Sequence, residues 1–160
     1  MILVTLGTQD KPFTRLLKKI DDLIDKGIIK DKVVVQAGTT KYESNNMEIM
    51  DLIPMDEFDN LLKDCDLIIT HGGVGTILSA LKYKKKIIAV PRLAKYGEHV
   101  NDHQIQIITK LYNEGNILEA INLDDMEIAL EKVDKFKPKG YKSNNENMVK
   151  LIEDLIDKKV

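Results

Sequence analysis

Leu67-Ile68-Ile69-Thr70-His71-Gly72-Gly73-Val74-Gly75-Thr76 is the stretch that decides the fold. Leu67 to Ile69 are apolar on both faces of an extended chain, the pattern of a strand inside a parallel sheet covered on both sides. Glycines end the run, and Leu78 and Leu81 then return at helical spacing. Glycines let backbone approach a ligand closely. The start of the following helix offers unpaired N–H groups and the positive end of its dipole, so the turn suits an anion such as a diphosphate. A tight packing turn needs the same glycines, so the motif alone does not decide between the two. It lacks the Gly-Lys-Ser/Thr ending of a Walker loop and the glycine spacing of the dinucleotide fingerprint.

Outward from this unit the same alternation recurs. Ile2 to Leu6 reads as a strand, followed by Pro12 in the first turn of a helix carrying Leu16, Leu17, Ile20, Leu23 and Ile24, with Gly27 as its stop. Val33 to Val35 form a second strand. A weaker extended piece runs from Ile49 to Ile53, and a short helix bears Phe58, Leu61 and Leu62. Beyond the central unit come a strand from Ile87 to Val90, a helix with Ile105, Ile108 and Leu111, and a short strand near Ile117 and Leu118. Asn122 and Asp125 are expected to cap a helix bearing Met126, Ala129, Leu130 and Val133. Ser143 and Glu146 form a capping box before a last helix over 143–158. The expectation is a doubly wound, Rossmann-like α/β domain over 1–160 with a parallel sheet of five or six strands. The polar loop over 38–46 is expected to be mobile. Lys84-Lys85-Lys86 is expected to be a solvated turn.

The chain has 160 residues, 43% hydrophobic and 31% charged, a globular composition that needs no disulfide or structural metal to fold. Its 24 basic and 26 acidic residues give a net charge of −2 and are interspersed, which argues against nucleic acid as partner. Cys65 is the only cysteine, flanked by Leu61, Leu62 and Leu67, and reads as a small buried side chain in a reducing cytosol. The opening Met1-Ile2-Leu3-Val4 has no basic leader or cleavage site, so no signal peptide is expected. No apolar run approaches the roughly 20 residues of a membrane span.

Ligands of open parallel sheets bind beyond the carboxyl ends of the strands. The three histidines, His71, His99 and His103, all follow strands, as does Arg92, one of only two arginines. Asn101, Asp102, His103 and Gln104 gather four hydrogen-bonding side chains into one turn, which suits a ligand rich in hydroxyls. Helix capping by Asn101 or Asp102 is the structural alternative. Gly7 and Thr8, after the first strand, are expected to lie close by.

MILVTLGTQ at the start, the HGGVGT turn and the PR…EHVNDHQ loop together resemble the C-terminal, nucleotide-sugar-binding domain of glycosyltransferase family 28. The likeness is to its small single-domain members of bacterial exopolysaccharide and capsule synthesis. These are similar in turn to the catalytic subunit of the two-chain UDP-GlcNAc transferase of N-glycan precursor assembly. The resemblance implies one half of a GT-B type enzyme. Gly72, Gly73, Gly75 and Thr76 would hold the donor diphosphate, and Asp102, His103 and Gln104 would reach sugar or ribose hydroxyls. Gly7 and Thr8 would flank the reaction centre, and Arg92 would belong to the uridine or phosphate surround. Where many relatives carry a ribose-gripping glutamate this chain has Ser79.

The expected chemistry is inverting, metal-independent transfer of a hexose from a UDP-sugar, with no cofactor and with fixed backbone dipoles supporting the leaving diphosphate. Asp64-Cys65-Asp66 matches a D-x-D metal motif, but it precedes a strand and so is expected at the wrong edge of the sheet. His71 and His99 are the candidate bases, neither of them clear. A chain holding one such unit implies a membrane-anchored partner that binds a lipid-linked glycan acceptor, with the chain cytoplasmic and peripheral at the inner face of the membrane. The helix over 143–158 would complete the core or dock to that partner. A non-catalytic UDP-sugar-binding regulatory subunit is the alternative.

Overall fold

The computed structural model describes residues 1–7 and 10–138. Six strands, β1 (Ile2–Thr5), β2 (Val33–Gln36), β3 (Glu48–Met50), β4 (Leu67–Thr70), β5 (Lys86–Ala89) and β6 (Leu118–Glu119), form one sheet in the order β3-β2-β1-β4-β5-β6. Every pairing is parallel, with Ile2 opposite both Val33 and Leu67. Helices α1 (Thr14–Asp25) and α5 (Met126–Lys132) cover one face. There Leu16, Leu17, Ile20, Leu23, Met126 and Ala129 meet Ile2, Val4, Val35, Ile69 and Ile88. Helices α2 (Met55–Asp64), α3 (Val74–Lys82) and α4 (His103–Asn113) cover the other, with Leu62, Ile77, Leu81, Ile107, Ile108 and Leu111 against Leu3, Val34, Ile68, Ile87 and Ala89. Neighbouring strand residues thus feed opposite cores, which is why these strands are apolar on both faces.

The expected doubly wound architecture is the observed one, with six strands. The chain order reverses between β1 and β4, which places the crevice of such a fold at their carboxyl ends. At the opposite edge, the Asp66 N–H donates to the Met1 carbonyl, so the D-x-D segment lies away from that crevice. Cys65 is buried, and burial pushes its thiol up to about 11.

Three local expectations are corrected. The 38–46 loop is tied down: Tyr42, Ser44 and Asn46 all hydrogen-bond the Asp21 carboxylate on α1, and Thr40 is buried, accepting the Phe13 N–H at 3.0 Å. The lysine run is only partly solvated. Lys85 Nζ donates to the Lys63 and Cys65 carbonyls at the end of α2, and Lys86 Nζ to the Val133 carbonyl beyond α5. Neither Asn122 nor Asp125 makes a side-chain cap. A single 3-10 turn, Leu123–Asp125, leads into α5 instead. The helix expected over 143–158 lies outside the described residues, and among those that are described no helix is long and apolar enough to cross a membrane.

Candidate functional site

Three βα loops meet at the carboxyl edge: the one after β1 with Gly7, the one after β4 with His71, Gly72 and Gly73, and the one after β5 running from Pro91 to Asp102. Gln104, on the first turn of α4 and only 2% exposed, joins two of them. Its Oε1 accepts the Gly72 N–H at 3.1 Å and the Arg92 N–H at 2.9 Å. Those two donors fix the orientation of the amide, so Nε2 is the atom 3.2 Å from His71 Nδ1 and must donate to it. Gln104 thus holds the frame of the site, with its second Nε2 hydrogen left for the donor hydroxyls it is expected to reach. Gly72 is needed for this contact: a Cβ there would lie 2.6 Å from the Gln104 Cβ.

His71 is buried, with its ring between two glycines. A Cβ on Gly7 would come within 2.4 Å of its Nε2, and one on Gly73 within 2.4 Å of its Cε1. Gly7 also has a φ of +76°, the left-handed region that favours glycine. Because Nδ1 accepts from Gln104, the proton of the neutral ring is on Nε2, beside these glycines. Burial, with the Arg92 and His99 charges nearby, depresses the pKa of His71 to about 3. The imidazole is neutral at physiological pH, a donor at Nε2 and a poor general base. That geometry speaks against the base role considered for it and leaves it a hydrogen-bond donor in the crevice.

Helix α3 begins at Gly73 without any side-chain cap, and its first turn contains no acidic residue. Gly75 is exposed, with nothing within 4 Å of a built Cβ, and Thr76 is half-buried. This end of the helix carries partial positive charge with no neutralising side chain. Ser79 is exposed one turn further on.

Arg92 departs from expectation. It is 1% exposed, and its Nη1 donates to the Lys11 carbonyl at 2.7 Å and the Glu98 carbonyl at 3.1 Å, while Nη2 donates to the Leu6 carbonyl. Burial lowers its pKa to about 10, partly offset by Glu98. Arg92 thus binds the loop after β1 to the loop after β5 with three of its five hydrogens, which leaves one on Nη2 and the one on buried Nε. The next segment is built by its own side chains. The Asp102 carboxylate accepts the Ala94 N–H at 2.8 Å, Asn101 Oδ1 accepts the His103 N–H at 3.0 Å, and His99 Nδ1 accepts the Asn101 N–H at 3.3 Å. Asn101 and Asp102 are therefore partly committed to structure. His103 is half-buried at the start of α4, with its Nδ1 buried and unpartnered. Thr8 lies outside the described residues.

Two residues that sequence reasoning did not weigh complete the assembly. Arg15 on α1 makes a fork onto buried Glu98, with Nε to Oε2 and Nη2 to Oε1 both at 2.9 Å. The rarity of arginine was the signal available, since both arginines converge on one loop. Further along the edge, Leu52, Ile53, Pro54, Met55 and Phe58 line an apolar cleft together with Gln36, whose Oε1 is buried without a partner. Among the described residues no group of three or more His, Cys, Asp or Glu side chains is placed to hold a metal ion.

This strand order, with its crevice flanked by an uncapped helix start, defines a Rossmann-like α/β unit of the kind that forms each half of GT-B glycosyltransferases. The chain belongs to the glycosyltransferase family 28 C-terminal domain, whose family model matches residues 1–158. Among curated proteins it is similar to the UDP-N-acetylglucosamine transferase subunit ALG13 of Cryptococcus neoformans var. neoformans serotype D, 25% identical over 117 residues that cover 72% of this chain and 56% of that protein. The subunit of the same name from Candida glabrata is 36% identical over 90 residues, covering 54% and 43%. The chain spans about half the length of the curated relatives it matches. An NMR solution structure of ALG13 superposes with a TM-score of 0.61 at 20% identity, over 94% of this chain and 93% of that one. MurG of Acinetobacter baumannii superposes at 0.56 and 15% identity, over 94% and 49%.

Proposed function

We propose that this chain is the donor-binding, catalytic subunit of an inverting hexosyltransferase that takes its sugar from a UDP-sugar and works with a membrane-anchored partner bearing the acceptor site. The observation that carries the reading is the uncapped start of α3 at Gly73, beside the Nε2–H of neutral His71 at the switch point of the sheet. A diphosphate placed there would meet backbone N–H groups of Val74, Gly75 and Thr76, the helix dipole and one imidazole donor. All of these strengthen as charge builds on the leaving group. No metal or organic cofactor is then required. The neighbouring cleft of Leu52, Ile53, Pro54 and Met55 offers apolar walls for a uracil ring, and the orphaned Gln36 Oε1 an acceptor for its N–H. Gln36 ends β2, two strands from β4, a span of about 10 Å that a nucleoside diphosphate can bridge.

Sugar hydroxyls fall to His99, Asn101, Asp102 and His103, and the names of the relatives favour N-acetylglucosamine as the sugar. Inversion needs a base for the acceptor hydroxyl. The depressed pKa of His71 makes it unsuitable, which leaves His99 or a group on the partner chain. The acceptor is a lipid-linked glycan of exopolysaccharide or capsule synthesis, reached at the cytoplasmic face of the membrane through that partner.

The test is titration of the chain with UDP and UDP-N-acetylglucosamine, followed by calorimetry and by backbone NMR, with and without EDTA. Shifts at residues 71–76 and 99–104 that EDTA leaves unchanged are expected. Absence of binding by either nucleotide at millimolar concentration overturns the reading, and loss of binding on chelation overturns its metal independence.

A further inference from the structure

Glu98 and Arg15 form a brace whose purpose neither the fold nor the anion site explains. Glu98 is 3% exposed, and its Oε1 accepts both the Leu93 N–H at 3.1 Å and Arg15 Nη2. The Glu98 N–H returns to the Leu93 carbonyl at 3.2 Å, and Gly97 turns the chain with a φ of +68°. Residues 93–98 are thereby closed into a small ring of chain. Arg15 Nη2 also reaches the Pro91 carbonyl at 3.3 Å, and its guanidinium lies 4.6 Å from the centre of the Tyr96 ring. Arg92 completes the arrangement from inside, donating to Lys11 and Leu6 before α1 and to the Glu98 carbonyl. Two arginines and one carboxylate thus bind the β1 exit and α1 to the β5 exit, passing over the intervening end of β4.

What hangs from this ring is the polar segment 99–103. It begins at the residue after Glu98 and is tied back to the ring by Asp102 at the Ala94 N–H. The α3 start is held through Gln104, which also accepts the Arg92 N–H, and by the two glycines around His71. The site therefore has an anion-binding part that Arg15 does not touch and a hydroxyl-binding part that it supports, with Gln104 as the link between them.

We infer that Arg15 is a positioning residue for sugar recognition: its fork onto Glu98 sets the placement of 99–103, and so the preference for a sugar-bearing nucleotide over the bare nucleotide. The inference rests on the donor-binding reading above. A fork of this kind cannot be replaced by lysine, whose ammonium is a point donor.

The experiment compares Arg15→Lys and Glu98→Gln with the unaltered chain. Glu98→Gln keeps an oxygen for the Leu93 N–H, and so supplies a second variant if Arg15→Lys does not fold. UDP-N-acetylglucosamine affinity is expected to fall about tenfold, the scale of one misplaced charge-assisted hydrogen bond. UDP affinity should change less than about twofold, because its diphosphate and base contacts lie elsewhere. In NMR, UDP-sugar should still shift residues 73–76 in the variants while its shifts at 99–103 shrink. If both ligands weaken together, or both footprints persist at full affinity, the positioning role is refuted. If the unaltered chain binds neither nucleotide, it is the donor-binding reading that fails.

Discussion

The ring of His71 fills the space that side chains on Gly7 and Gly73 would occupy, and that packing can be measured. Gly73 has φ −72°, a conformation open to alanine, so Gly73→Ala carries a steric cost without a backbone one. Overpacking of this kind costs about 1–3 kcal/mol. Placing His71→Ala beneath it should remove most of the clash, so denaturant titrations are expected to give a double-mutant loss at least about 1 kcal/mol smaller than the sum of the singles. The same histidine predicts a pH dependence. Its folded pKa of about 3 lies below the ordinary 6.5, so between those values the unfolded chain binds a proton that the folded one refuses. Its contribution to stability is complete above pH 6.5 and drains away as pH falls toward 3. At pH 5 the loss relative to pH 7 is on the order of 2 kcal/mol, about 1.4 for each unit below 6.5. Urea midpoints from pH 7 to pH 4.5 should show this slope, and His71→Asn should flatten it. A slope unchanged by that substitution would assign the acid sensitivity to carboxylates instead.

Among elements, the 38–46 loop shows where sequence reading stopped. Its composition is that of a mobile connection, yet Asp21, one residue after the buried Ile20 on α1, gathers donors from Tyr42, Ser44 and Asn46. Burial raises the Asp21 pKa, but those three donors outweigh it and leave the carboxyl below its ordinary value. The same contact pushes Tyr42 up to about 12. Asp21→Ala should therefore cost about 1–2 kcal/mol and release the loop. Faster amide exchange over 41–46 and tryptic cleavage after Lys41 would report it, and unchanged exchange would refute the tether. The strands and helices were legible because each buries a periodic apolar set, and Ile2, Val33, Leu67 and Ile87 announce themselves in any window. Side chains that bond to distant backbone have no such period. Gln104, Arg92, Lys85 and Lys86 reach carbonyls or amides of other elements, and nothing local distinguishes them from exposed polar residues. The glycine turn was legible for the opposite reason, since its geometry is set within a few residues.

At the scale of the molecule, the family and the arrangement of the sheet were both legible, because the three motifs fall where the strand order brings them together. The division of labour inside the site was not. Two residues expected to touch donor, Arg92 and Gln104, hold the loops that surround it, and two unremarked ones, Arg15 and Glu98, do the same. The described surface carries exposed Leu52, Met55, Tyr96 and Val100 at the carboxyl edge. Under the proposed pairing with a second chain, this is the edge that chain would cover.

β1 and β4 touch across the middle of the sheet, although the Thr70 hydroxyl and the Thr5 carbonyl it meets are 65 positions apart along the chain. Within the half built from β1, β2 and β3 and the half built from β4, β5 and β6 the paired strands are nearer in the chain, and this seam is the pairing most distant in sequence. A nucleotide lodged over the seam would grip both halves at once. In the proposed role it would act as a rivet as well as a reactant, adding its own hold along a line that the cores on both faces already span.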